Sequence, residues 1–261
     1  MTLINFFKWF GGGVIVLIAL LCLFLQGTYW YGASFLPNEL PQPRNSYPAP
    51  ARAALWQMLD GGETALSVRK LNAFSELEIV SEFTARYMLA PKNELPSSPA
   101  DLNLLDITTR AVRDAIREAH AAQAAPQPQS NGPSNAEALQ QASYTYHFES
   151  MALDIRISRE WPAERMADMV LETRDYGRDS KGLEQAASAY FGSRTRDLAP
   201  SELYLLVAIG LQSGQHDPYC HAERFLAAYS DPYDGLRTPS LPPISATSLS
   251  RLKPATCKTQ P

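Results

Sequence analysis

Apolar residues recur at helical spacing over most of this chain, and no alternating strand pattern persists anywhere. Leu71, Phe74, Leu77, Val80, Phe83 and Tyr87 return every three or four positions, which predicts a helix over residues 71–89 that Pro91 stops. Leu104, Leu105, Ile107, Val112 and Ile116 set out a second helix over 101–125. Leu55, Trp56 and Leu59 mark a shorter one over 51–59, ended by Asp60-Gly61-Gly62. Further helical runs cover 136–157, the stretch from Pro162 through Glu172, and 182–191, where Gly192 supplies the stop. Another opens at Pro200 and runs to Leu211, with Glu202 in its first turn facing the exposed N–H groups. The fold class that follows is mainly α, with one helical domain over about residues 50–230 and no internal repeat.

The connections differ in composition. Residues 36–50 hold five prolines and are expected to form an extended, semi-rigid stalk. Residues 126–135 are a low-complexity polar loop, and the tail from Pro232 has repeated prolines without helical periodicity.

The amino-terminal segment changes the picture. Between Lys8 and Glu39 there is no charged side chain, and residues 13–25 are nearly all apolar. From Trp9 to Tyr31 the stretch reaches the roughly 20 residues a bilayer-crossing helix needs. Trp9 on one side, and Tyr29, Trp30 and Tyr31 on the other, fit interfacial aromatic belts. An uncleaved single-pass anchor is the preferred reading. A cleaved signal peptide is the rival, although bulky Tyr29, Trp30 and Tyr31 stand where small residues would be cut. A buried core helix is the remaining alternative. Lys8 and the positive amino terminus favour the N-terminus inside and the rest of the chain outside.

Composition sets bounds. The apolar share of 45% allows a real core, and a net charge of −4 gives no sign of a general nucleic-acid binder. Cys22 lies in the apolar segment; Cys220 and Cys257 would sit in an oxidising compartment, where they either form a disulfide or remain two unrelated thiols. No Cys/His cluster has metal-ligand spacing, no Gly-rich phosphate loop occurs, and there is no Gly-x-Ser-x-Gly nucleophile element.

Residues 172–224 carry the most specific pattern. Gly177 supplies a turn, and Gly182-Leu183-Glu184-Gln185-Ala186-Ala187-Ser188-Ala189-Tyr190-Phe191-Gly192 follows. Leu198 and Glu202 then give a Leu-x-x-x-Glu helix start, and Asp217-Pro218 precedes a further helix. Over residues 158–224 this arrangement resembles the C-terminal half of the family-51 glycosyltransferases, bacterial enzymes that polymerise peptidoglycan from a lipid-linked disaccharide. The resemblance implies a lysozyme-like transglycosylase domain. The matched residues also have a structural reason: the alanines allow close helix approach, Gly192 closes a helix, and Tyr190 and Phe191 fill a core.

The family's catalytic segments are harder to find. No Glu-Asp dipeptide exists for its Glu-Asp-x-x-Phe-x-x-His-x-Gly motif. Gly61-Gly62-Glu63-Thr64 only echoes its Gly-Gly-Ser-Thr segment and reads as an ordinary turn. Glu149 matches the Glu of Arg-Lys-x-x-Glu with a one-residue slip, without the Arg-Lys pair.

Glycosyl transfer from a lipid diphosphate needs a base near the attacking hydroxyl and cations near the leaving group. Glu149 is the first candidate base and Glu172 the candidate second carboxylate, with His147 close in sequence. Arg156 and Arg159, one turn apart, and Arg178 and Lys181, bordering the Gly turn, are candidates for the diphosphate. Each has a plain alternative as a solvated or ion-paired surface residue. Tyr144 and Tyr146 stack on sugar or pack in a core. The resemblance further implies a divalent cation as cofactor, a lipid-linked precursor or glycan strand and other cell-wall proteins as partners, and an inner-membrane protein with a periplasmic domain. A non-catalytic envelope scaffold that kept the fold is the rival of different class.

Overall fold

The computed structural model describes residues 3–89, 98–123, 135–212, 217–230 and 243–257. Helices build all of it: among the described residues there is no strand, only an isolated bridge between Asp175 and Lys181. The expected loop at 126–135 falls almost entirely outside the described residues.

The centre is a helix that is apolar on every side. Here α1 is Leu3–Ala33, α2 Ala49–Met58, α3 Ser75–Leu89, α4 Ala100–Gln123 and α5 Asn135–Glu160. They are followed by α6 Ala163–Thr173, α7 Leu183–Phe191, α8 Pro200–Leu211, α9 Ala222–Ser230 and α10 Ala246–Ser250. In α8, Leu203 and every residue from Leu205 to Gly210 are buried, as expected of a helix with no polar face. Helices α2, α7 and α10 pack on it, and α6 bridges α2, α4 and α7.

Gly210 is required where α8 crosses Tyr176. A Cβ there would lie 2.6 Å from the Tyr176 ring, which is buried and hydrogen-bonded through its hydroxyl to the Leu171 carbonyl at 3.1 Å. The Ala186–Ala187 step of α7 is likewise buried, and Gly192 ends that helix in the left-handed conformation at φ 68°.

Three expectations are corrected. The helix predicted over 71–89 begins at Ser75. Residues 71 and 72 are used otherwise: the Leu71 N–H donates to Ser158 Oγ at 3.0 Å, and Asn72 Oδ1 accepts the Phe74 N–H at 2.8 Å in an Asx turn. The Pro-rich segment 36–50 is no free-standing stalk. Its Leu40 and Tyr47 are buried, and Arg156 donates to the carbonyls of Pro37 and Asn38. The tail is not irregular where it is described. Its α10 packs on α8, Leu252 is buried, and the Lys253 N–H donates to the Tyr190 carbonyl at 2.7 Å. Cys257 is disulfide-bonded to Cys220, fastening this tail beside α9.

Helix α1 is long and apolar enough to cross a membrane, its most apolar stretch within Gly13–Ala33 having a mean hydropathy of 2.0 and residues 13–21 being exposed throughout. Ile15, Leu17, Leu23 and Phe24 are each more than half exposed, which removes the reading of α1 as a core helix. Only its last turns touch the domain.

Candidate functional site

The candidate base lies on α5, between α1 and α4. Gly32 of α1 packs against the Phe148 backbone and Ala152, where no Cβ would fit, and the Tyr31 and Phe148 rings meet edge-on at 5.6 Å. Further along both segments Pro37 and Asn38 meet Arg156, so α1 and α5 run in the same direction. Helix α4 runs the opposite way. Its Thr109 hydroxyl donates to Asp154, while Arg113 and Arg117 reach back to Tyr146.

Glu149 is half-buried, with no hydrogen-bond or ion-pair partner among the described residues. It sits one turn beyond Tyr146 (about 60° around the helix), so the two share a face. The Arg113 guanidinium stacks on the Tyr146 ring at 4.2 Å from its centroid, and Arg117 lies at 5.9 Å. His147 is two residues from Glu149, hence about 200° around α5, and points away from it. It is exposed, in edge contact with Tyr146 at 5.7 Å.

Most of the other predicted site residues are engaged in contacts within the fold. Glu172 Oε2 accepts the N–H groups of Arg44 at 2.8 Å and Asn45 at 2.9 Å, together with the Asn45 side-chain amide. Arg156 clamps Pro37 and Asn38 and pairs with Glu160. Arg159 Nε donates to the Leu71 carbonyl at 2.7 Å. Arg178 forks onto Asp217, donates to the carbonyls of Ala189 and Lys253, and covers the Tyr190 ring at 4.1 Å. Lys181 is exposed and pairs with Glu118 of α4 at 3.3 Å. Glu172 is thus engaged by residues 44 and 45, while Glu149 has no such partner among the described residues.

Residues 131–231 match the family model described as Transglycosylase. This segment is a transglycosylase domain. No curated protein matches the chain.

The transglycosylase domain thus takes in α5 through α9, while α1 through α4 lie before the match. Arg113 and Arg117 reach the domain from outside it. Sequence reasoning passed over both, because they sit beside the core residues Val112 and Ile116 on a helix read only for its apolar stripe. Asp168 was missed too: it is buried within α6, receives the Arg52 fork at 2.8 Å through both oxygens, and accepts the Tyr47 N–H.

The Gly61-Gly62-Glu63-Thr64 turn is packed for structural reasons. A Cβ at Gly61 would lie 2.2 Å from the Trp56 ring, and Trp56 Nε1 donates to Thr64 Oγ1 at 3.2 Å. The turn borders a pocket of about 300 Å³ that also receives Glu63 and Glu164, on a different part of the domain from Glu149. Two Ser-x-x-Lys spacings occur, Ser67 with Lys70 and Ser250 with Lys253. Neither pair lies within one helix turn, as a serine acyl-enzyme would need. No three metal-ligating side chains converge among the described residues.

Burial raises the phenols of Tyr176 and Tyr190 above their ordinary range, and the nearby Asp217 carboxylate adds to this for Tyr190. Both phenols serve as neutral donors to main-chain carbonyls, Tyr176 to Leu171 and Tyr190 to Tyr176 at 2.7 Å. Neither is available as an acid or base near neutral pH.

Proposed function

We propose that this protein is a membrane-anchored component of the bacterial cell envelope that uses a transglycosylase fold to bind glycan or its lipid-linked precursor without polymerising it. The observation that carries this reading is the fate of Glu172. Its carboxylate is committed to the backbone of residues 44–45, leaving Glu149 without the second carboxylate that the chemistry calls for. Arg156, Arg159 and Arg178, the arginines expected to meet the leaving diphosphate, are likewise committed to internal carbonyls and carboxylates.

Anchoring by α1 is supported by its length, its exposed apolar surface and the aromatic residues Tyr29, Trp30 and Tyr31 at its domain end. A domain outside the cytoplasm agrees with the disulfide between Cys220 and Cys257.

A second reading, glycosyl transfer with Glu149 as general base, is favoured by one observation: this carboxylate is half-buried, has no partner among the described residues and shares the Tyr146 face of α5. Its product would be a lengthened glycan.

Binding is tested by sedimenting the full detergent-solubilised chain with purified peptidoglycan and, separately, by its retention of labelled lipid-linked disaccharide. The proposal expects saturable binding in at least one arm. Recovery at the level of an unrelated membrane protein in both arms contradicts it.

A further inference from the structure

Arg113 is an unusual residue to find where it is. It is 5% exposed, its Nε–H has no acceptor, and no carboxylate pairs with it among the described residues. A buried guanidinium that lacks a carboxylate carries an uncompensated desolvation cost, and a buried N–H without an acceptor adds to it. Stacking on Tyr146 offsets this only in part. Nearby carboxylates have other partners: Asp154 accepts from Thr109, Asp106 pairs with Arg110, and Glu118 pairs with Lys181. Arg117, one turn along α4, is exposed and approaches the same Tyr146 ring. Two arginines converging on one aromatic ring, with no anion of their own among the described residues, are a site that awaits an anion.

The height of the cluster suggests where that anion comes from. Phe148 of α5 lies beside Tyr31 and Gly32 at the end of α1. Tyr146 is two residues earlier on α5, about 3 Å nearer the membrane side because α1 and α5 run in the same direction. Arg113 and Arg117 therefore stand level with Trp30 and Tyr31, which are 65% and 52% exposed. An aromatic belt at the end of a spanning helix marks the depth of lipid headgroups, where a cationic cluster meets phosphate.

We infer that Arg113, Arg117 and Tyr146 form a binding site for the phosphate headgroup of a membrane lipid. The inference rests on the reading of α1 as a membrane anchor. The guanidinium groups supply donors for phosphate oxygens, and Tyr146 holds the Arg113 plane in place. A phospholipid and a polyprenyl diphosphate precursor offer the same chemistry.

The full chain in neutral detergent is exposed separately to phosphatidylglycerol, phosphatidylcholine, the polyprenyl-diphosphate disaccharide and inorganic phosphate, and retained ligand is measured by native mass spectrometry. Arg113→Met, which keeps bulk and removes charge, is expected to lower retention of the anionic lipid about tenfold, as loss of a charge-assisted contact does. Exposed Arg117→Gln serves as the variant least able to disturb folding and is expected to lower retention about threefold. Phosphatidylcholine retention should be unchanged. Arg113-dependent retention of phosphatidylglycerol identifies a phospholipid site; the same dependence for the disaccharide alone identifies the precursor. Retention of both lipids equal to wild type in both variants overturns the proposal, as does binding of inorganic phosphate with neither lipid retained. Carbonate extraction of membranes scores the anchor independently: release of the protein contradicts the anchoring reading, while firm attachment with variant-insensitive retention contradicts the headgroup site alone.

Discussion

One oxygen of Glu172 accepts the backbone N–H of Asn45 at 2.9 Å, and that of Arg44 at 2.8 Å, across 127 and 128 residues of chain. A carboxylate that precedes the Gly turn of a transglycosylase domain is thereby a fastening for the segment that follows the apolar helix. Arg156 acts alike, clamping Pro37 and Asn38. Polar groups of this domain are spent on holding residues 36–50 against it.

Replacing Glu172 by Ala should loosen that segment. Two N–H groups and the Asn45 amide lose a charged acceptor in a partly solvated place, at a cost of about 1–2 kcal/mol. Hydrogen exchange should accelerate at residues 40–47 before any change in α8. Unchanged exchange at 44 and 45 would contradict the assigned role.

The fork from Arg178 to Asp217 joins the Gly turn to the loop before α9, with Nε to Oδ2 at 2.6 Å and Nη2 to Oδ1 at 3.0 Å. Side-chain exposures of 12% and 20% make this a partly buried pair. Arg178→Met should destabilise by about 2 kcal/mol, and a double-mutant cycle with Asp217→Asn should return a coupling of about 1–2 kcal/mol. Additive losses would mean that Arg178 acts mainly through its carbonyl contacts.

Gly210→Ala places a methyl group 2.6 Å from the Tyr176 ring, which has nowhere to go. Overpacking of this kind should cost about 1–3 kcal/mol despite the better helix propensity of Ala. Thermal melts check it; an unchanged or higher Tm would show that Tyr176 can move.

The fold should weaken at high pH. Burial raises the Tyr176 and Tyr190 phenols above their ordinary value of 10.0. The folded state keeps these protons where the unfolded chain releases them. Stability from this source is complete below about pH 10 and declines as pH climbs toward the raised folded values, by at most about 1.4 kcal/mol per phenol per pH unit. Urea midpoints measured from pH 7 to 11 should be flat at first and fall beyond 10, with a shallower fall in Tyr190→Phe.

Helices were legible in the sequence because their apolar spacing survives folding unchanged: α8 runs from Pro200 to Leu211, as its capping residues require. The Gly and Ala positions of α7 were legible for the same reason, being set by close packing. The burial of residues 36–50 was not, since it depends on Glu172 and Asp168 more than 120 residues away, and contacts that distant leave no periodic trace. The tail was misread because its prolines mask a short helix held by Cys257, Leu252 and Lys253. Arg113 escaped notice because a charged residue on a helix is ordinarily solvated. Only the positions of α4 and α5 show it buried.

The central claim is that this transglycosylase domain binds without polymerising. The most direct measurement incubates the full detergent-solubilised chain, and its Glu149→Gln variant, with labelled lipid-linked disaccharide and resolves products by length. The account predicts no lengthening with either protein. Glycan chains formed by the wild type and abolished in Glu149→Gln would contradict it.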